Sequence, residues 1–145
     1  MANRLKVKLH RNEALHITRV SVDADYLVYV FLCDKKLSYE DGKSRIAYIG
    51  TTGSGVWRIA SSAAGCASTI LSERGVKKFE ARIVTCARRQ RIKSWRKLER
   101  AMLLTFKERF GKVPICNSHG KAMKETDEFD YFARERIVDI IDELS

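Results

Sequence analysis

The chain contains a single proline, Pro114, and no stretch rich in proline, glycine or serine, so no linker divides its 145 residues into separate folding units. It has no internal repeat and no low-complexity tract, which excludes solenoid architectures. No apolar run approaches the ~18 residues of a membrane span. The opening MANRLKVKLHRNE is charged where a signal peptide would carry its apolar core. A cytoplasmic protein is expected. The four cysteines (Cys33, Cys66, Cys86 and Cys116) form no C-x-x-C pair and have no histidine at ligand spacing, so zinc has no sequence support and the thiols read as reduced. Acidic residues are in deficit, 18 against 28 lysines and arginines, for a net charge of +10. That excess favours an anionic partner, whether nucleic acid, acidic protein or a membrane surface. With 45% hydrophobic residues the chain can bury a core, which excludes general disorder.

The charge is uneven. Residues 121–145 hold four basic and eight acidic side chains, so residues 1–120 hold 24 basic against 10 acidic. In the acidic tail Phe129, Phe132, Ala133, Ile137, Ile140, Ile141 and Leu144 recur at helical spacing, which predicts an amphipathic helix packed on the body or used in self-association. At the other end Leu5, Val7 and Leu9 alternate with Lys6, Lys8 and His10, the period of a half-buried strand. Between these ends, Tyr26–Cys33 and Arg45–Gly50 read as two strands of a hairpin, with Asp34–Ser44 as an extended loop whose turn signal is Asp41-Gly42. A helix follows from Val56 toward Gly75, then a strand over Lys78–Ala87, then a long helix over Arg89–Phe110 stopped by Gly111 and Pro114. The order predicts an α+β fold, a three-stranded antiparallel sheet flanked by helices, with an extra N-terminal strand or arm and a C-terminal helix. The expected divisions are a basic extension over residues 1–25, a central unit over 26–121 and the acidic helix over 122–145.

Three local features break the surrounding pattern. Glu99 falls near the centre of an apolar stripe formed by Ile92, Trp95, Met102, Phe106 and Phe110. A carboxylate there either pairs with a structural arginine, sits where the stripe leaves the core, or faces a cleft and holds a divalent cation. From Ile46 to Ser72 the only charged residue is Arg58, where 27 residues of this 32% charged chain would ordinarily hold about eight or nine. Arg58 lies in a first helical turn, where a cation opposes the helix dipole. It either snorkels along the surface or grips a phosphate with its fork of donors. Gly50-Thr51-Thr52-Gly53-Ser54-Gly55 lacks the Gly-Lys-Ser/Thr ending of a Walker loop, because Val56-Trp57-Arg58 follows. Finally, both hairpin strands carry a tyrosine, Tyr29 and Tyr48, a residue that by itself usually serves packing.

Taken together, Leu27-Val28-Tyr29, Tyr48-Ile49-Gly50, Arg58, Glu99 and Asn117 in the Pro114-Ile115-Cys116-Asn117 loop resemble the motif series of the GIY-YIG nuclease superfamily. The resemblance spans about residues 26–121. Leu27-Val28 replaces the usual Gly-Ile, the loop to Tyr48 is longer than typical, and Ser62 stands where many members have a histidine one turn after the arginine.

The resemblance implies a metal-dependent DNA endonuclease of phage, mobile-element or restriction type, acting with one Mg²⁺ or Mn²⁺ per active site on double-stranded DNA, without a membrane partner. Its catalytic residues would be Tyr29, Tyr48, Arg58, Glu99 and Asn117, with Glu99 on the metal. Arg58 would hold the scissile phosphate, Tyr29 would orient or deprotonate the attacking water, Tyr48 would position that water or the phosphate, and Asn117 would brace the loop. The expected substrate contacts are Gly50, Ser62, Arg89, Arg91, Lys93, Arg96, His119 and Lys121, with the Arg4–Arg19 arm adding phosphate contacts. The alternatives are a catalytically weakened nucleic-acid-binding module, or an adaptor on the same fold; a homodimer is compatible with each.

Overall fold

The computed structural model describes residues 3–13, 16, 18 and 22–145. The described elements are β1 (Leu27–Tyr39), β2 (Gly42–Thr52), α1 (Trp57–Leu71), β3 (Phe79–Val84), α2 (Ser94–Phe110), α3 (Glu128–Tyr131) and α4 (Arg134–Leu144). The three strands form an antiparallel sheet in the order β2-β1-β3, so the fold is α+β as expected. β1 is central, and this explains why Leu27–Cys33 reads as an unbroken apolar run: both faces of the strand are covered. Val28, Val30 and Leu32 pack with α2 and α4 on one face. Leu27, Tyr29, Phe31 and Cys33 pack with Ile59 and Ile70 of α1 on the other.

Asp34–Ser44 is not a loop. The hairpin ladder continues past a bulge to Tyr39↔Gly42, leaving Glu40-Asp41 as the turn. The segment has a loop's polarity because Asp34, Lys35 and Lys36 fall on the bulge, whereas Leu37 is buried and the Tyr39 hydroxyl donates to the Ile46 carbonyl at 2.6 Å.

The long helix begins at Ser94 rather than Arg89, because Arg89–Ile92 forms a tight turn closed by the Ile92 N–H on the Arg89 carbonyl at 3.2 Å. Arg91 takes φ 66° there, a conformation no α-helix contains. At the other end Gly111 takes φ 83° and terminates α2, the role its position suggested.

The acidic tail is broken at Phe132 and Ala133, whose extended backbones separate α3 from α4. It packs on the body through Ile137 and Ile141, which join the core of α2. Glu128 is fully buried, accepting from Arg100 Nε at 2.6 Å and from the Thr126 N–H at 2.8 Å, while Arg100 also donates to the Lys124 carbonyl at 2.8 Å. Burial pushes the Glu128 carboxyl up, but these donors outweigh it and hold the group at about 2.

Leu5–His10 is not a strand: no ladder includes it, and Leu5, Val7 and Leu9 are 91%, 98% and 71% exposed. Alternation marks a segment able to pair, but a strand forms only when a neighbour takes its backbone groups. Arg19 lies outside the described residues.

Candidate active site

β1 and β2 bring the two tyrosines together from register alone. Tyr29 pairs with Gly50 and Phe31 with Tyr48, and side chains directly opposite in a ladder share a face. The Tyr29 and Tyr48 rings lie 5.8 Å apart between centroids. They close over Gly50, where an added Cβ would stand 2.5 Å from Tyr48 Cε1 and 2.8 Å from Tyr29 Cζ. The glycine is therefore required by the rings above it. Gly50→Ala is expected to destabilise the protein by about 1–3 kcal/mol and to splay the tyrosines, which chemical unfolding and near-ultraviolet circular dichroism would register; an unchanged near-ultraviolet spectrum would contradict the clash.

α1 supplies the next groups. The Tyr29 hydroxyl and Ser62 Oγ are 2.5 Å apart, so the residue that departs from the family pattern makes a direct hydrogen bond to the first tyrosine. Arg58 stands one turn before Ser62 on the same helix, and side chains four apart share a face with about 5–6 Å between their Cβ atoms. Arg58 is exposed and forms no ion pair among the described residues. The first turn of α1 has no acidic residue and no side-chain cap; the Arg58 and Ile59 N–H groups donate to the Gly55 and Val56 carbonyls, so no side chain offsets the Arg58 charge there.

Glu99 is half-buried on α2, and no hydrogen bond contributes to its ionisation: burial raises its pKa to about 7, and Arg96 and Arg100 only partly offset this through space. The structural arginine that might have claimed it, Arg100, is committed to Glu128. Burial also lifts the Tyr48 phenol above its usual range, with Tyr29, Cys66 and the Glu99 charge adding to the rise. Tyr48 therefore stays protonated near neutral pH. Among the described residues no group of three or more His, Cys, Asp or Glu gathers to hold a metal. One unclaimed hard oxygen donor suits a cation that keeps most of its shell as water and phosphate.

Asn117 braces the open edge of β2. Its Oδ1 accepts from the Ile49 N–H at 3.0 Å and its Nδ2 donates to the Ile49 carbonyl at 2.8 Å, while the Cys116 N–H donates to Ala47 at 3.0 Å. The side chain thus replaces a missing strand beside the Tyr48-Ile49-Gly50 segment.

The expected substrate contacts divide. Arg89, Arg91, Lys93 and Arg96 are exposed on the turn before α2 and on its first turn, and Arg96 acts on Glu99. His119 is exposed two residues after Asn117. Lys121 is drawn elsewhere, since its carbonyl accepts from Lys107, two turns beyond Glu99 and roughly 12 Å along α2.

One cluster has no signature in the spacing. Arg88 lies 3.9 Å above the Tyr26 ring, and Tyr26 packs against Trp95 with centroids 4.1 Å apart and the rings tilted by 45°, with Gly53 packed against Tyr26. These residues, 69 apart at the extremes, tie the loop before α1 to the start of α2.

Comparison with protein-family models, curated proteins and solved structures returns no significant match for this chain. The resemblance to the GIY-YIG superfamily rests on the motif residues alone.

Proposed function

We propose that this protein is a metal-dependent endonuclease that hydrolyses phosphodiester bonds in double-stranded DNA, built on a GIY-YIG-like site. The observation that carries this reading is the grouping of an unclaimed, half-buried Glu99 with Tyr48, beside a Tyr29–Ser62 pair and an unpaired Arg58 on the same α1 face. A purely structural site would be expected to pair the half-buried carboxylate.

Arg58 binds the scissile phosphate and offsets the charge that accumulates as water attacks phosphorus and the bond to the leaving oxygen breaks. Tyr48, held protonated, donates a hydrogen bond to the phosphate or the water. Tyr29, fixed by its hydrogen bond to Ser62, orients the attacking water. Glu99 would hold the Mg²⁺ or Mn²⁺, which would supply positive charge to offset that of the phosphate and the leaving oxygen. The exposed cations at Arg89, Arg91, Lys93 and Arg96 make sequence-independent phosphate contacts, which gives binding a steep salt dependence.

Supercoiled plasmid incubated with Mg²⁺ or Mn²⁺, with chelator and with Arg58→Lys tests this. Nicking that needs the metal and falls about a hundredfold in Arg58→Lys, with DNA affinity largely retained, is expected, because lysine lacks the planar fork. Undiminished turnover in that variant would remove Arg58 from the phosphate. Salt-sensitive binding with no cleavage of plasmid or branched DNA would favour the binding-module alternative.

A further inference from the structure

Ser94 opens α2, and among the described residues its Oγ is the one buried side-chain polar atom without a hydrogen-bond partner. The residue is only 5% exposed, so bulk water does not serve the hydroxyl. A buried serine that merely packs turns its hydroxyl onto a nearby carbonyl, and an orphaned one costs stability. A helical Cα–Cβ bond tilts toward the helix N-terminus, so the hydroxyl of the first residue is directed at the mouth of α2.

The backbone at that mouth is unclaimed as well. The Arg96 and Lys97 N–H groups both donate to the Lys93 carbonyl, at 3.0 and 3.3 Å, whereas the Ser94 and Trp95 N–H groups have no acceptor among the described residues. No side chain caps this end, and the first turn carries no carboxylate. The cations around it are held by aromatic rings: Arg88 lies over Tyr26 and Trp95 at 3.9 and 5.7 Å, and Arg89 and Lys97 lie over Tyr131 at 5.5 and 5.1 Å. Asp127, at the start of α3, is neutralised by Lys97 at 2.7 Å. Two free N–H groups and a free hydroxyl, ringed by positioned cations, form the donor set of an oxyanion site, and the helix dipole favours negative charge there.

We propose that the N-terminus of α2 is a phosphate-binding site. Ser94 Oγ and the Ser94 and Trp95 N–H groups hold the oxygens of one phosphodiester of a nucleic-acid strand, and Arg89 and Arg96 offset its charge. These donors are fixed by the helix, so they position a strand that the surrounding surface cations only attract. Ser94 precedes Glu99 by five residues, roughly 7–8 Å of helix rise and about two steps of a strand that rises about 3.4 Å per phosphate. The phosphate held here is a near neighbour of the scissile one; that placement rests on the endonuclease reading, whereas the site itself does not.

The test is made in chelator, so that no cleavage intervenes. Amide shifts are followed by nitrogen-15 NMR while inorganic phosphate, and then a short DNA duplex with and without a 5′-phosphate, is added at constant ionic strength. Duplex affinity and urea stability are measured for the native protein and for Ser94→Ala. The Ser94 and Trp95 amides should shift with phosphate and with both duplexes, and Ser94→Ala should bind duplex about tenfold more weakly. Its stability should equal or exceed that of the native protein, because the variant removes a hydroxyl that the free protein leaves unpaired. Unmoved amides or native affinity in Ser94→Ala overturn the proposal. So does a variant that loses stability together with affinity, which would make the hydroxyl structural, or a loss confined to the 5′-phosphorylated duplex, which would make this a site for strand ends. A plasmid assay separates the two readings: amide shifts and weakened binding without nicking by the native protein would keep the site and remove the nuclease, and nicking with unmoved amides would do the reverse.

Discussion

Glu99→Gln is expected to lower metal-dependent cleavage by at least about a thousandfold while making the protein harder to unfold above pH 7. The two effects have one cause. Burial raises the folded-state pKa of Glu99 from 4.5 to about 7, so below 4.5 the group is protonated folded or unfolded and costs nothing. As pH rises through about 7 the unfolded chain ionises freely while the folded chain must bury the charge, and stability is lost across that window. Glutamine has the same shape and carries no charge. It should therefore restore about 2 kcal/mol at about pH 8 and almost none at low pH, less than the full shift because the carboxylate still touches solvent. Urea unfolding with chelator present at both pH values, beside a plasmid assay, checks both halves. Mg²⁺ should raise the melting temperature of the native protein above pH 7 and leave Glu99→Gln unmoved, because only the carboxylate competes for the cation. Equal stability of the two proteins at every pH would mean that Glu99 carries no desolvation penalty, and full cleavage by the variant would take it out of the site.

The same residue illustrates how far the sequence reached. Helical periodicity put Glu99 among apolar neighbours, but only the fold reveals that Arg100, one residue away, is spoken for by Glu128. The central strand and the sheet's composition were legible because two-sided burial writes a continuous apolar run, and Tyr29 and Tyr48 were legible as members of one hairpin. Their meeting over Gly50 depends on a register displaced by the bulge at Ala47, which no local pattern encodes. Asp34–Ser44 has the polarity of a loop because a bulged two-stranded extension exposes its charges as a loop does. Arg89–Ile92 has a helix's periodicity although it is a turn, because the turn's signal is a positive φ on arginine, a residue that does not announce one. Long-range pairings such as Arg88 on Tyr26 and Asn117 on Ile49 connect residues more than sixty apart, and nothing short in the sequence links them.

Arg100→Ala is expected to be the most destabilising substitution of a half-exposed residue in the chain, at about 3–5 kcal/mol. The arginine itself is 35% exposed and its loss would ordinarily be mild, but its partner Glu128 is at 0% exposure. Removing the guanidinium leaves a buried carboxylate with only the neutral donors of Thr126 and its own N–H to satisfy it and frees the Lys124 carbonyl that Arg100 also holds. The penalty therefore lies in the group that remains. At about 2–4 °C per kcal/mol for a domain of this size, the melting temperature should fall by about 10 °C. Glu128 also sets a pH signature: its folded pKa of about 2 lies below the unfolded 4.5, so its contribution is complete above 4.5 and disappears as pH falls toward 2. Arg100→Ala should shrink that acid-sensitive component, because Arg100 is the largest of the donors that depress the pKa, ahead of the Thr126 groups and the Glu128 N–H. The double variant Arg100→Met, Glu128→Leu removes both charges and should recover much of the stability lost by the single change, since an apolar pair of similar volume avoids the desolvation penalty. Thermal and urea unfolding of the three proteins between about pH 3 and pH 7 measure this. A double variant as unstable as Arg100→Ala would show that the clamp acts through its geometry on residues 124–128 and not through the buried charge, and would shift the emphasis to the Lys124 and Thr126 hydrogen bonds that fix the entry to α3.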